Sequence, residues 1–75
     1  MKELLLFLAQ SLVDQPEEVR IEETENQKTV FFKLRVADGD MGKVIGKQGK
    51  NARAIRTIMK AASSKENKKV IIDIE

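Results

Sequence analysis

The first hydrophobic pattern along the chain has the spacing of an α-helix. Residues 2–14 gather apolar side chains on one stripe of such a helix. The stripe consists of Leu4, Leu5, Leu8, Ala9 and Leu12. Pro16 is incompatible with a helix interior, so we expect it to end the helix. Leu6, Phe7 and Val13 lie off the stripe, so the helix either is buried on several sides or contacts another chain.

Three later stretches have the alternating pattern of β-strands. The first two span residues 18–24 and 29–36, and the link between them is short enough for an antiparallel hairpin. In the second stretch the apolar positions are Val30, Phe32, Leu34 and Val36, and they alternate with Phe31, Lys33 and Arg35. This is the period of a half-buried strand. Val70, Ile72 and Ile74 alternate with polar or exposed positions in the same way and predict a final strand.

Two helices are predicted between the second and third strands. Asp38-Gly39-Asp40 is typical of a turn that ends in a helix N-cap. A short helix over 41–45 and a longer one over 50–62 should follow. The order is then αββααβ, and a two-helix connection makes the second and third strands parallel. The prediction is an α+β fold, a three-stranded mixed sheet with the helices packed on one face.

Composition excludes much of enzyme chemistry. The 75 residues should form one domain, 1–75, and the apolar fraction of 41% and charged fraction of 35% are typical of a globular chain. Cysteine and histidine are absent. This removes disulfides, the usual zinc ligands and the common nucleophile and base pairs. We therefore expect no catalytic site, metal, cofactor or small-molecule substrate. The apolar run 4–9 is too short for a signal peptide or a membrane span, which predicts a cytoplasmic protein.

Charge is distributed unevenly. Residues 1–38 carry five basic and eight acidic side chains, whereas residues 39–69 carry nine basic and two acidic ones. A basic half joined to an acidic half favours a polyanion bound at one place. Helix 50–62 carries much of this charge on one stripe, and its opposite, apolar stripe can pack on the sheet. The apolar stripe consists of Ile55, Ile58, Met59 and Ala62. The cations of the basic stripe are Lys50, Arg53, Arg56 and Lys60.

All four glycines of the chain lie within eleven residues. They are Gly39, Gly42, Gly46 and Gly49. The last two bracket Lys47-Gln48 between the predicted helices. A loop of this kind exposes backbone N–H groups and the positive end of a helix dipole, which suits a phosphate. Side chains at positions 46 or 49 would keep a sugar-phosphate chain away from that backbone.

The segment from Asp40 to Lys50, with the core Val44-Ile45-Gly46-Lys47-Gln48-Gly49, resembles the IGxxG motif of KH domains. The αββααβ order matches their type II form, and the whole chain is similar to the small bacterial single-KH-domain proteins of the KhpA family. The resemblance implies RNA binding through ten residues. They are Lys43, Val44, Ile45, Gly46, Lys47, Gln48, Gly49, Lys50, Arg53 and Arg56.

In that family the glycine loop clamps the backbone of about four nucleotides, and bases lie in an adjacent aliphatic groove. The loop would then hold phosphates, Val44 and Ile45 would line the groove, and Arg53 and Arg56 would extend the basic track. The resemblance also implies an RNA chaperone or post-transcriptional regulator that acts as a homodimer or with a KhpB-like KH protein. In some bacteria that pair is linked to cell-wall biogenesis and cell shape.

Some of these residues also allow a purely structural interpretation. Val44 and Ile45 could be packing residues instead of groove residues. Asp38 and Asp40 could begin a calcium loop, but its later ligand positions hold apolar residues, which favours a turn and cap. Phe31 could be a stacking platform for bases, or could pack against the first helix or a partner.

Three other functions compete with RNA binding. A DNA-binding helix-turn-helix would use residues 50–62 but would leave the glycine loop without a role. A phosphate loop of the Walker type needs different glycine spacing and a hydroxyl residue after the lysine. A protein-interaction domain would use the basic stripe for an acidic partner.

Overall fold

Three helices and three strands follow each other in the predicted order αββααβ in the computed structural model, which describes residues 1–75. The elements are α1 (Lys2–Leu12), β1 (Arg20–Glu25), β2 (Thr29–Arg35), α2 (Met41–Ile45), α3 (Lys50–Ser64) and β3 (Lys69–Ile74). Single 3-10 turns occupy Pro16–Glu18, Asp38–Asp40 and Lys47–Gly49. No helix has the length and apolar character needed to cross a bilayer.

The sheet has the order β1-β2-β3, so β2 is central and the other two strands are edges. β1 pairs with β2 antiparallel, and β2 pairs with β3 parallel. Phe32 of the central strand lies opposite Glu23 on one side and Ile72 on the other. The mixed three-stranded sheet predicted from the sequence is therefore confirmed.

The core lies between one face of the sheet and the helices. β2 contributes the alternating residues Val30, Phe32 and Leu34, and the intervening positions face away from the helices. The rest of the buried cluster comes from every layer of the fold: Leu5, Ala9, Val19, Val44, Ile55, Met59 and Ile72. The α+β fold with its helices on one face is thus the observed architecture.

Two boundary predictions fail, one at the end of α1 and one at the start of α2. The helix stops at Leu12, where Val13 becomes extended, and Pro16 opens a 3-10 turn instead of ending the helix. Asp40 does not cap α2 with its side chain. Its carboxylate is only 2% exposed and accepts the N–H groups of Asp14 at 3.2 Å and Gln15 at 3.0 Å. The chain that leaves α1 needs these acceptors, and Asp40 supplies them from the 3-10 turn just before α2.

Candidate nucleic-acid interface

The glycine loop, residues 46–49, is a sharp turn between α2 and α3 with positive φ at three positions. Gly46 has φ 77° and ψ 170°, Gln48 has φ 57° and ψ 24°, and Gly49 has φ 77° and ψ 14°. Side-chain-bearing residues rarely adopt positive φ, so the glycines explain two of these positions and Gln48 is held there at some cost. The side chains of Lys47 and Gln48 are exposed.

Three hydrogen bonds hold this turn in shape. The Gly46 N–H donates to the Gly42 carbonyl at 2.8 Å, and the Gly49 N–H donates to the Gly46 carbonyl at 3.0 Å. The side-chain Nδ2 of Asn51 donates to the Lys43 carbonyl at 2.8 Å. Sequence reasoning did not single out Asn51, because an asparagine in the first turn of a helix carries no signal of the partner it will find.

The first turn of α3 faces the loop without a side-chain cap. Its N-cap position is Gly49, which has no side chain to accept the free N–H groups. The Lys50 N–H donates to the Lys47 carbonyl, and the positive dipole end of a fifteen-residue helix is directed at the loop. This arrangement suits a phosphate oxygen.

A continuous basic face extends from the loop along α3. It comprises Lys47, Lys50, Arg53, Arg56 and Lys60, all of them exposed. None of the five forms an ion pair, so their charges are free to meet an external anion. Lys43 differs, because its Nζ donates a hydrogen bond to the carboxylate of Asp14, and this bond raises the pKa of Lys43.

The basic face borders a groove at the β3 edge of the sheet. This edge groove has a volume of about 260 Å³ and is lined by Arg56, Lys60, Val70, Ile71 and Ile72. Because β3 pairs only with β2, the outer backbone groups of β3 are not used in the sheet. Sequence reasoning placed Lys60 on the basic stripe but did not associate the stripe with β3. The strand pattern alone does not reveal which strand will be an edge.

The apolar residues predicted beside the loop separate into two groups. The side chain of Val44 is fully buried and packs α2 against the core. It therefore does not line a groove, contrary to the expectation. Ile45 is exposed at the start of the loop and remains in reach of a ligand. The difference follows from a step of one residue, since the side chains of adjacent positions on a helix point about 100° apart.

Two further predictions about apolar residues are corrected by the structure. Phe31 lies on the open face of the sheet, away from α1, so the expected packing against that helix is wrong. Ile58 was expected to pack on the sheet with Ile55 and Met59. It is instead 42% exposed in a groove between α1 and α3.

That interhelix groove has a volume of about 210 Å³ and is mostly apolar. Its lining is Phe7, Leu8, Ser11, Leu12, Asn51, Ala54, Ile55 and Ile58. Phe7 is 66% exposed at its margin. Of the two alternatives left open for α1 by the sequence, burial on several sides is therefore wrong for Phe7.

The αββααβ order, the mixed sheet and the glycine loop between two helices define a type II KH domain. A family model described as "KhpA/KhpB, KH domain" matches residues 2–74. The chain belongs to this KH-domain family, which is not an enzyme family.

Curated relatives named "RNA-binding protein KhpA" match over nearly full length. The protein of Clostridium perfringens is 54% identical over 99% of both chains. The protein of Chlamydia trachomatis is 45% identical and that of Aquifex aeolicus 46% identical, each over 99% of this chain and at least 94% of the relative.

Proposed function

We propose that the chain, as one KH domain over residues 1–75, binds single-stranded RNA through the glycine loop and the basic face of α3. The observation that carries the proposal is the set of five exposed cations without ion-pair partners, aligned from the loop to the edge groove. A like-charged track of this kind attracts a polyanion and lacks the acids that would compete for it. The name shared by the relatives supports the same ligand.

In this proposal the residues act in three ways. The glycine loop, Gly46, Lys47, Gln48 and Gly49, receives phosphates at the start of α3. The N–H groups of Lys47 and Gln48 donate to them, because those of Gly46 and Gly49 already donate within the turn. Lys50, Arg53 and Arg56 follow the RNA backbone as it leaves the loop, and Lys43 adds charge on the other side at the expense of its pair with Asp14. Ile45 and the apolar floor of the edge groove contact bases.

A single strand fits this surface better than a duplex. An edge groove with an apolar floor can take unstacked bases, whose faces are hidden in a helix. The chain has no tryptophan or tyrosine, and its three phenylalanines lie outside the loop and the edge groove. Without stacking aromatics we expect weak sequence preference and modest affinity. These properties fit an RNA chaperone or post-transcriptional regulator in the cytoplasm, where single-stranded RNA is available, without catalysis.

Salt dependence gives a direct test of this mode of binding. If the loop and basic face contact about four phosphates, the logarithm of the association constant should fall against the logarithm of the salt concentration with a slope of about −3. The measurement is the anisotropy of fluorescein-labelled poly-uridine across a potassium chloride series. Duplex DNA at the same salt concentrations is the comparison ligand.

Two other outcomes of the salt series would each favour a different function. A slope near zero would mean that phosphates are not bound, and the chain would then be a protein-interaction domain. Tighter binding to duplex DNA than to poly-uridine would favour a helix-turn-helix mode with α3 as its recognition helix.

We further propose that the domain acts as a pair, with a second copy or with a KhpB-like KH protein. Low affinity per domain makes pairing useful, because two linked weak sites bind one strand far more tightly than either alone. The interhelix groove supports this proposal, since Phe7 and Ile58 expose apolar surface that another protein could cover.

A charge in the interhelix groove should separate the pair. Ile58→Asp is expected to weaken pairing about a hundredfold or more, because burying a carboxylate in an interface costs several kcal/mol. Sedimentation equilibrium of wild type and variant measures the change. Ile71→Asp is the matched control, since Ile71 is 39% exposed on the open sheet face. Equal dissociation by both variants, or a single-chain mass for the wild type, would contradict self-pairing through this groove.

A further inference from the structure

We propose that Asn51 is a positioning residue for the glycine loop: its side-chain amide ties the end of α2 to the start of α3 and fixes the loop in the shape that receives RNA. The inference rests on the proposed function and adds a residue outside the predicted contact set. Asn51 is not proposed to touch RNA itself.

The hydrogen bond from Asn51 crosses the loop. Its Nδ2 donates to the Lys43 carbonyl at 2.8 Å, and these two residues lie on opposite sides of residues 46–49. The Lys43 carbonyl is one of the last four of α2, for which a helix has no N–H partner of its own. The amide therefore satisfies an orphaned acceptor and closes the gap between two helices with one contact.

The two loop glycines have different surroundings, and Asn51 explains the difference. A Cβ added at Gly46 would lie 2.7 Å from Asn51 Cγ and 2.8 Å from its Cβ and backbone N. A Cβ added at Gly49 would meet nothing within 4 Å. Gly46 thus makes room for Asn51 on the inner side of the loop, whereas Gly49 leaves the outer side open to a ligand.

The loop gains from such a tie because, besides the backbone hydrogen bonds donated by Gly46 and Gly49, it has few restraints. α2 has five residues, which is too short for a helix to be stable by its own hydrogen bonds. Lys47 and Gln48 are exposed, and the positive φ of Gln48 is unfavourable for a residue with a side chain. Without the amide the loop should leave this conformation more often, and RNA would have to order it again on binding.

The test compares two amide deletions in the full chain. Asn51→Ala removes the contact across the loop. Gln10→Ala is the matched control. The Gln10 side-chain amide also donates to a backbone carbonyl, that of Pro16 at 3.3 Å, and this bond lies outside the loop, between α1 and the turn that follows it. For each variant we would measure affinity for fluorescein-labelled poly-uridine, hydrogen exchange of amides 46–50, and the melting temperature.

We expect Asn51→Ala to bind poly-uridine about fivefold more weakly, as for one hydrogen bond of about 1 kcal/mol, and to exchange its loop amides faster. Gln10→Ala should match the wild type in both. A lowered melting temperature with unchanged RNA affinity would overturn the proposal, because Asn51 would then be only structural. If the wild type does not bind poly-uridine, the proposed function fails, and hydrogen exchange of amides 46–50 then tests the role of Asn51 by itself. Faster exchange in Asn51→Ala supports a positioning role, and unchanged exchange refutes it.

Discussion

RNA binding is expected to fall by at least about a hundredfold when Lys47 and Gln48 are both replaced by aspartate, with the fold retained. The contact of the Lys47 ammonium with phosphate is charge-assisted and worth about 1.5–3 kcal/mol, against the 2.7 kcal/mol of a hundredfold change. The new carboxylates also repel phosphate. Both side chains are exposed, and aspartate tolerates the left-handed backbone of position 48, so the variant should remain folded.

A matched control exists in the β1–β2 turn. Gln27→Asp/Lys28→Asp replaces the same two residue types and changes the net charge equally at an exposed site outside the proposed interface. Its RNA affinity should stay close to that of the wild type, apart from a small general charge effect. Circular dichroism and melting verify that both variants are folded. Unaltered affinity in the loop variant, or an equal loss in the turn variant, would remove the glycine loop as the binding site.

The second large effect concerns stability. Phe32→Ala is expected to lower the free energy of unfolding by about 3–5 kcal/mol, because Phe32 is 2% exposed in the central strand and its loss leaves a cavity. A domain of this size has a total stability of about 4–11 kcal/mol. The variant should therefore lose a large part of its stability, and at the low end of that range it would be unfolded at room temperature. Urea titration followed by circular dichroism measures the loss.

The neighbouring phenylalanine provides the comparison. Phe31 is 42% exposed on the open sheet face, opposite Ile71 of β3. Phe31→Ala should cost about 1 kcal/mol or less, since it loses a cross-strand contact and creates no cavity. Similar losses for the two substitutions would mean that the alternation of buried and exposed positions along β2 does not describe the protein in solution.

Periodicity predicted the larger elements well because the core imposes it. The alternation of β2 and the amphipathic spacing of α3 both reflect which side chains one sheet face can bury. The parallel orientation of β2 and β3 follows from the two-helix connection, so this part of the topology was also accessible. The glycine loop was found because four glycines crowd one segment.

The remaining features depend on contacts between residues distant in sequence. The chain just after α1 donates hydrogen bonds to Asp40, which lies 25 and 26 positions further along the sequence. Ile58 has the spacing of a core residue, and only the placement of α1 leaves it exposed. The edge groove requires that β3, and not another strand, ends the sheet next to α3. No local pattern contains that information.

The geometry of α2 has a consequence for engineering. This five-residue helix is fixed at its beginning by Asp40, which is bonded to the chain after α1, and near its end by Asn51 of α3. The tetrapeptide Gly-Lys-Gln-Gly is therefore not a portable module. Grafted between two helices of another scaffold it would bring the residues but not their placement, and a working transplant would have to include both anchors.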